Sequence, residues 1–251
     1  MGVERKTFDV LEAVLRHGGE ISLAELAIMT GLNRTTVHRI SSVLAQGGYL
    51  YQKRKGEKYS LGIKFLQYGK PNNVFTVMRD KSLPYLQNLC NEISETVNMV
   101  MLHGIETITV VSITAENRPL LVAPNPSIKF SLHCTAIGKI LLASMSNSKI
   151  EMTINVLGLK AYTDNTITDI NRLMDEIKEI RSCGVAYDDE ERWLGIRSTA
   201  ASVKDEEGDT LAALSVVGPS VRISKSKMTQ IAPIVKNCAL SISRSLGYVG
   251  Q

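Results

Sequence analysis

Apolar residues recur at helical spacing over residues 6–17, where Phe8, Leu11 and Val14/Leu15 form a stripe that Gly18-Gly19 ends. Ser22-Leu-Ala-Glu25 follows, a serine at a helix start with a glutamate three residues on. That is a capping box, which satisfies two orphan backbone donors. Leu23, Leu26 and Ala27 give this short helix a buried side, and Gly31 is placed to end it in a left-handed conformation. Asn33 then caps a third helix running to about Gln46, with Val37, Ile40 and Leu44 facing inward. Past Gly47-Gly48, Tyr49-Leu-Tyr51 and Lys58-Tyr-Ser-Leu61 read as short strands flanking a polar tip.

The pattern then changes. Residues 63–68 continue as a short helix that Pro71-Asn72-Asn73 interrupts, because proline cannot donate to a helix. A further helix is predicted over 74–93, with Pro84 inside it. Alternation over 97–103 and 107–113 predicts a hairpin, and 196–204 with 210–217 predicts another. Helices are expected between the hairpins at 136–145, 149–157 and 168–182, and a last one at 224–246. The fold class expected is α+β: a winged helix-turn-helix followed by an antiparallel sheet flanked by helices. The expected domains are 1–64, a linker over 65–79 broken at Pro71, and 80–251.

Composition narrows the function. Of 251 residues, 44% are hydrophobic and 22% charged, which excludes a disordered chain. No apolar run approaches the roughly 20 residues of a membrane span, and the start carries no export signal, so a cytoplasmic protein with no membrane partner is expected. Four scattered cysteines and four scattered histidines form no metal-ligand spacing, so neither metal nor cofactor is expected. Charge is uneven: residues 1–64 hold 10 Lys/Arg against 6 Asp/Glu, whereas 65–251 hold 19 of each. A local positive field fits a polyanion, although a solvated basic surface would look the same by charge alone.

On the outer side of the third helix lie Thr35, His38, Arg39 and Ser42, with Arg34 and Thr36 in the first turn. These side chains suit base edges and phosphates, and the second helix of a helix-turn-helix enters the major groove of double-stranded DNA. Lys53, Arg54 and Lys55 at the hairpin tip suit the sugar-phosphate backbone. A helical bundle that binds protein is the plainer alternative.

Leu23-Ala-Glu-Leu26, Thr35-Thr-Val-His-Arg39, Gly48-Tyr49-Leu50 and Tyr59-Ser-Leu-Gly62 together resemble the IclR family of bacterial transcription regulators. Leu132-His-Cys-Thr-Ala-Ile-Gly-Lys-Ile-Leu-Leu-Ala143, Gly184-Val-Ala-Tyr-Asp-Asp-Glu-Glu191, Gly195-Ile-Arg-Ser-Thr-Ala-Ala201 and Ala212-Ala-Leu-Ser-Val-Val-Gly-Pro219 extend the likeness over the whole chain. The resemblance implies a ligand-responsive regulator, more often a repressor. It also implies a GAF-like C-terminal domain for a small organic acid effector, and a homodimer on an operator, with a dimer of dimers allowed.

A helix start at Ala136 leaves amides at Ala136 and Ile137 free for an anion, unless Thr135 or water takes them. Asp188, Ser198 and Ser215 offer polar groups, and Val122, Phe130 and Ile196 an apolar wall. In the family the matching positions bind a small organic acid. Ser198 stands where cysteine is frequent, and Val217 where some members carry a second serine, which favours a ligand with fewer polar groups than a small keto acid. Arg192 and Trp193 suggest ligand clamps. Plainer readings exist: Ser198 and Ser215 as packing residues, Asp188 as a turn cap, Arg192 as a surface ion pair beside Glu190 and Glu191, and Trp193 as packed. The competing function is a GAF-like cysteine-dependent enzyme with an accessory nucleic-acid-binding domain. Adjacency of His133 and Cys134 speaks against it, since neighbours in a strand point to opposite faces.

Overall fold

The structure, a computed structural model, describes residues 2–54, 56–65, 74–115, 118–123 and 130–250. Lys55 at the expected basic tip and the expected break at Pro71-Asn72-Asn73 lie outside the described residues. The chain divides into two compact units, Met1–Thr76 and Val77–Gln251.

The first unit contains α1 (Val3–His17), α2 (Leu23–Thr30), α3 (Arg34–Gln46), β1 (Leu50–Gln52) and β2 (Tyr59–Leu61). Four of these helix boundaries have a local cause. Gly18 and Gly31 end α1 and α2 in the left-handed region. The Ser22 hydroxyl accepts from the Glu25 amide while the Glu25 carboxylate accepts from the Ser22 amide, the capping box expected. Asn33 Oδ1 accepts the Thr36 N–H at 2.8 Å. The three helices bury Val10, Val14, Leu26, Val37, Ile40 and Leu44 against one another and against Leu50 and Tyr59 of the hairpin. The inward face of α1 is met in part: Leu11 and Val14 of the expected stripe pack inward, but Phe8 and Leu15 are 64% and 57% exposed, and Val10 and Ala13 line the core instead. Both sets recur at helical spacing, so periodicity alone does not fix which stripe turns inward.

The hairpin pairs Leu50 with Leu61 and Gln52 with Tyr59, and Ile21 bridges Tyr59 from the other side. At its base the chain passes very close to itself. A Cβ on Gly62 would fall 2.1 Å from the Gly48 carbonyl oxygen, so only glycine fits.

The second unit contains α4 (Val74–Ile93), β3 (Thr96–His103), β4 (Glu106–Ile113), α5 (Ala136–Ala143), α6 (Asn147–Leu157) and α7 (Ile170–Cys183). After these come β5 (Val185–Asp189), β6 (Ile196–Lys204), β7 (Thr210–Pro219) and α8 (Lys225–Ser245). The strands form one antiparallel sheet in the order β4-β3-β7-β6-β5. Ala186, Ala200 and Ala213 on one face pack under α5 and α7, whose Ile137, Ile140, Leu141, Leu173 and Ile177 complete the core. The small alanines let α5 lie close to β6 and β7. Strand β5 is absent from the sequence pattern: it pairs along β6 only, and Val-Ala-Tyr-Asp-Asp carries too short an apolar run to announce itself.

Candidate functional site

Two surfaces bring the candidate residues together, one in each unit. In the first, burial of Val37, Ile40 and Leu44 turns the other side of α3 outward. Arg34, Thr35, His38 and Arg39 are exposed there, and Thr36 and Ser42 are half-buried. Lys53 and Arg54 are exposed on the hairpin, which the Gln52 side-chain amide closes by donating to the Glu57 carbonyl at 2.7 Å. Among the described residues none of Arg34, Arg39, Lys53 and Arg54 is ion-paired, so their charges are available to a polyanion. A cleft of about 340 Å³ lies between the start of α2, Arg34 and Lys53, with Lys58 in its wall.

In the second unit, strand register sets the geometry. Asp188 on β5 lies opposite Ser198 on β6, Ser198 opposite Val217 on β7, and Val217 opposite Thr96 on β3. One step along, Ala186, Ala200, Ser215 and Asn98 form a parallel row. Directly opposed residues share a face, and so do residues two apart, so both rows and Ile196 face the helices α5 and α7. Asp188, Ser198, Ser215, Thr96 and Asn98 are all buried. No hydrogen bond to the Ser198 or Ser215 hydroxyl occurs among the described residues, whereas Asn98 Oδ1 accepts from the Ser112 hydroxyl at 2.5 Å.

The start of α5 supplies donors. The Thr135 hydroxyl accepts the Gly138 amide at 3.0 Å and donates to the Ser131 carbonyl at 2.8 Å. Thr135 therefore does not satisfy Ala136 or Ile137, whose amides make no hydrogen bond among the described residues although both residues are buried. Buried, unpaired N–H groups at a helix start are costly alone and favourable with an anion. Val122 is tied to this face through its carbonyl, which accepts the Thr96 hydroxyl at 2.8 Å. Phe130 packs against the core, and its amide donates to the Thr107 hydroxyl.

Electrostatics sharpen the picture. Burial pushes the Asp188 carboxyl up to about 7, and the nearby Glu191 carboxylate adds to that rise, against the amides of Glu191 and Arg192 and the Lys139 charge. At neutral pH Asp188 thus stands near half-protonation and can donate as well as accept. Beside it Lys139 is 1% exposed and bonds Glu176 at 2.6 Å and Glu191 at 2.7 Å. Burial alone would lower the Lys139 pKa; the two carboxylates outweigh it and keep the ammonium charged. Sequence reasoning misses Lys139, Thr96 and Asn98. A single charge inside Ala-Ile-Gly-Lys-Ile-Leu-Leu-Ala is the available signal, because a lysine among apolar neighbours must find partners.

The cysteine reading fails on geometry. Cys134 is fully buried and its thiol is pushed up to about 12 by burial, so no thiolate forms at neutral pH. His133 and Cys134 lie in an irregular segment and not on a strand, and His133 Nε2 bonds the Lys160 carbonyl at 3.0 Å. The surface ion pair expected for Arg192 is also not formed: Glu190 pairs with Arg197 and Glu191 with Lys139. Among the described residues, no helix is long and apolar enough to cross a membrane, and no group of His, Cys, Asp and Glu could hold a metal.

Known families match both units. The profile described as IclR helix-turn-helix domain matches residues 5–54, and that described as Bacterial transcriptional regulator IclR C-terminal matches residues 75–244. The chain belongs to the IclR family. Transcriptional repressor IclR of Escherichia coli (strain K12) is 29% identical over 244 residues, covering 95% of this chain and 87% of that protein. The acetate operon repressor of Salmonella typhimurium is 28% identical, with the same shares covered. Among solved structures, the IclR of Thermotoga maritima has a TM-score of 0.73 at 26% identity, covering 97% of this chain and 98% of that one. An IclR homolog from Microbacterium hydrocarbonoxydans, complexed with 4-hydroxybenzoate, has a TM-score of 0.84 at 18% identity, covering 98% and 99%. This IclR-family chain is a DNA-binding transcription regulator with an α+β fold, and not an enzyme.

Proposed function

We propose that this protein is a repressor whose C-terminal unit binds a small organic acid and whose N-terminal unit reads an operator. The observation that carries the effector half is the pair of buried amides at Ala136 and Ile137, which like the Ser198 and Ser215 hydroxyls of the facing sheet have no hydrogen-bond partner among the described residues. The carboxylate sits on those amides. Ser198, Ser215 and Asp188 take the ligand's remaining polar groups, and Val122, Phe130, Ile196 and Val217 enclose its body. The 4-hydroxybenzoate bound to the Microbacterium homolog is a ligand of this kind, a carboxylate on a mostly apolar frame.

On the DNA side, Arg34, Thr35, Thr36, His38, Arg39 and Ser42 meet the major groove, and Lys53, Arg54 and Lys55 the backbone. One recognition helix reads few base pairs, so a homodimer on two half-sites supplies the affinity, and a dimer of dimers extends it. The linker over 65–79 passes the ligand signal between the domains at 1–64 and 80–251. The repressor sense is supported by the names of the Escherichia coli and Salmonella relatives.

Thermal denaturation with pyruvate and 4-hydroxybenzoate tests the effector half, since a ligand of the native state raises Tm as RT ln(1 + [L]/Kd). A rise for either, reduced by Ser215→Ala, is expected. No rise with either, or a rise that Ser215→Ala leaves intact, refutes the assignment of this face.

A further inference from the structure

Arg192 belongs to neither the DNA-facing surface nor the sheet face. Its guanidinium carbon lies 3.6 Å from the Tyr162 ring centroid and 4.7 Å from that of Trp193. Its Nε–H is buried with no hydrogen-bond acceptor among the described residues. A buried charged donor without a partner costs more than a neutral one, so the arrangement calls for an acceptor. The stack forms part of the wall of a cavity of about 310 Å³, a volume at the lower end of small-molecule sites.

The rest of the lining narrows the ligand. Lys160 adds a second cation, 5.3 Å above the Tyr162 ring. Among the described residues no ion pair engages either Lys160 or Arg192. His133 also lines the cavity, and its bond to the Lys160 carbonyl fixes that stretch of chain. Phe130 and Leu157 present apolar surface, and Glu106 is the one acid among the described lining residues. Two cations without an ion-pair partner among the described residues favour an anionic ligand group such as a carboxylate. The flat Arg192–Tyr162 stack and the apolar side favour a planar, apolar body.

We propose that this cavity is a second ligand site, which takes an aromatic monocarboxylate: its carboxylate on Arg192 and Lys160, its ring against Tyr162, Phe130 and Leu157. The site shares only Phe130 with the sheet face assigned to the effector. The chain connects the two, because the Glu191 amide donates to the Asp188 carboxyl at 2.9 Å and the next residue, Arg192, lines the cavity. Ligand bound here acts on the segment 188–192 that holds Asp188 in place.

Trp193 is the single tryptophan of the chain, which gives the site its own optical reporter. The full chain is titrated with benzoate, and with benzyl alcohol as its uncharged counterpart, while tryptophan emission is followed. A saturable change with benzoate is expected, with benzyl alcohol weaker by at least about tenfold. Arg192→Met should weaken benzoate by a similar factor, and the saturable tryptophan response should persist in Ser215→Ala, which removes a hydroxyl of the sheet face only. Tyr162→Leu, at a partly exposed ring, provides an independent removal should Arg192→Met not fold. No saturable change in the natural protein, equal affinity for the uncharged alcohol, or unchanged benzoate affinity in the cavity variants overturns the proposal. Loss of the response in Ser215→Ala also overturns it, by assigning benzoate to the sheet face, and would leave the effector reading standing.

Discussion

Asp188 is 3% exposed, and burial raises its carboxyl from 3.8 to about 7. Between those values the native state holds a proton that the unfolded chain has released, so stability falls as pH rises through that window. Asp188→Asn removes the titration. Chemical denaturation between pH 4 and 8 should therefore show the natural protein losing up to about 4 kcal/mol relative to the variant, at about 1.36 kcal/mol for each pH unit separating the folded and unfolded pKa. Equal pH dependence of the two proteins would contradict this. Lys139 makes the complementary case. Lys139→Met leaves Glu191 with no cation in a buried setting, and a loss of about 3–5 kcal/mol is expected on denaturation. The double variant Lys139→Met, Glu191→Gln should recover part of that loss, which a simple packing defect would not.

At the scale of elements, the N-terminal hairpin and the start of α5 can each be tested alone. Replacing Lys53 and Arg54 by alanine should weaken binding to all DNA sequences alike and lower the salt slope by about 0.9 per lost contact. A sequence-dependent loss would instead place these residues at base edges. In α5, a Cβ on Gly138 would lie 2.2 Å from the Ser131 carbonyl oxygen, so Gly138→Ala should cost about 3 kcal/mol or more of stability in a denaturant titration. Most of these elements are legible in the sequence because their signals are local. Ser22 with Glu25, Asn33 and Gly31 mark the ends of α2 and α3, and alternation marks β3, β4, β6 and β7. Signals that depend on distant partners are not legible. The inward stripe of α1 is chosen by α2 and α3, β5 exists only as the neighbour of β6, and Lys139 is tolerable only because Glu176 and Glu191 reach it. For the effector face, Asp188, Ser198, Ser215 and Val217 stand out one by one, but the rows that join them to Thr96 and Asn98 come from strand register. Glu190 and Glu191 adjoin Arg192 in sequence and so suggest a surface ion pair, yet the fold gives those carboxylates to other cations.

For the molecule as a whole, a basic N-terminal unit that binds DNA is joined to a C-terminal unit that carries the proposed carboxylate site. The two events must be linked reciprocally: a ligand that changes DNA affinity has its own affinity changed by DNA to the same extent. Such coupling needs a ligand with different affinities for two arrangements of the protein, and not merely a tight one. The sharpest test is an anisotropy titration of the full chain on a duplex selected from random-sequence DNA, at fixed salt. It is run with and without whichever of pyruvate and 4-hydroxybenzoate gives the larger thermal shift. Affinity at least about 10³-fold above that for random duplex is expected. Adding the carboxylate should change that affinity by roughly 5–150-fold. Ser215→Ala should remove only the carboxylate effect, and Arg39→Ala should reduce only the preference for the selected duplex. Equal affinity for selected and random DNA, or a selected-duplex affinity that the bound carboxylate does not alter, would contradict a ligand-controlled operator reader.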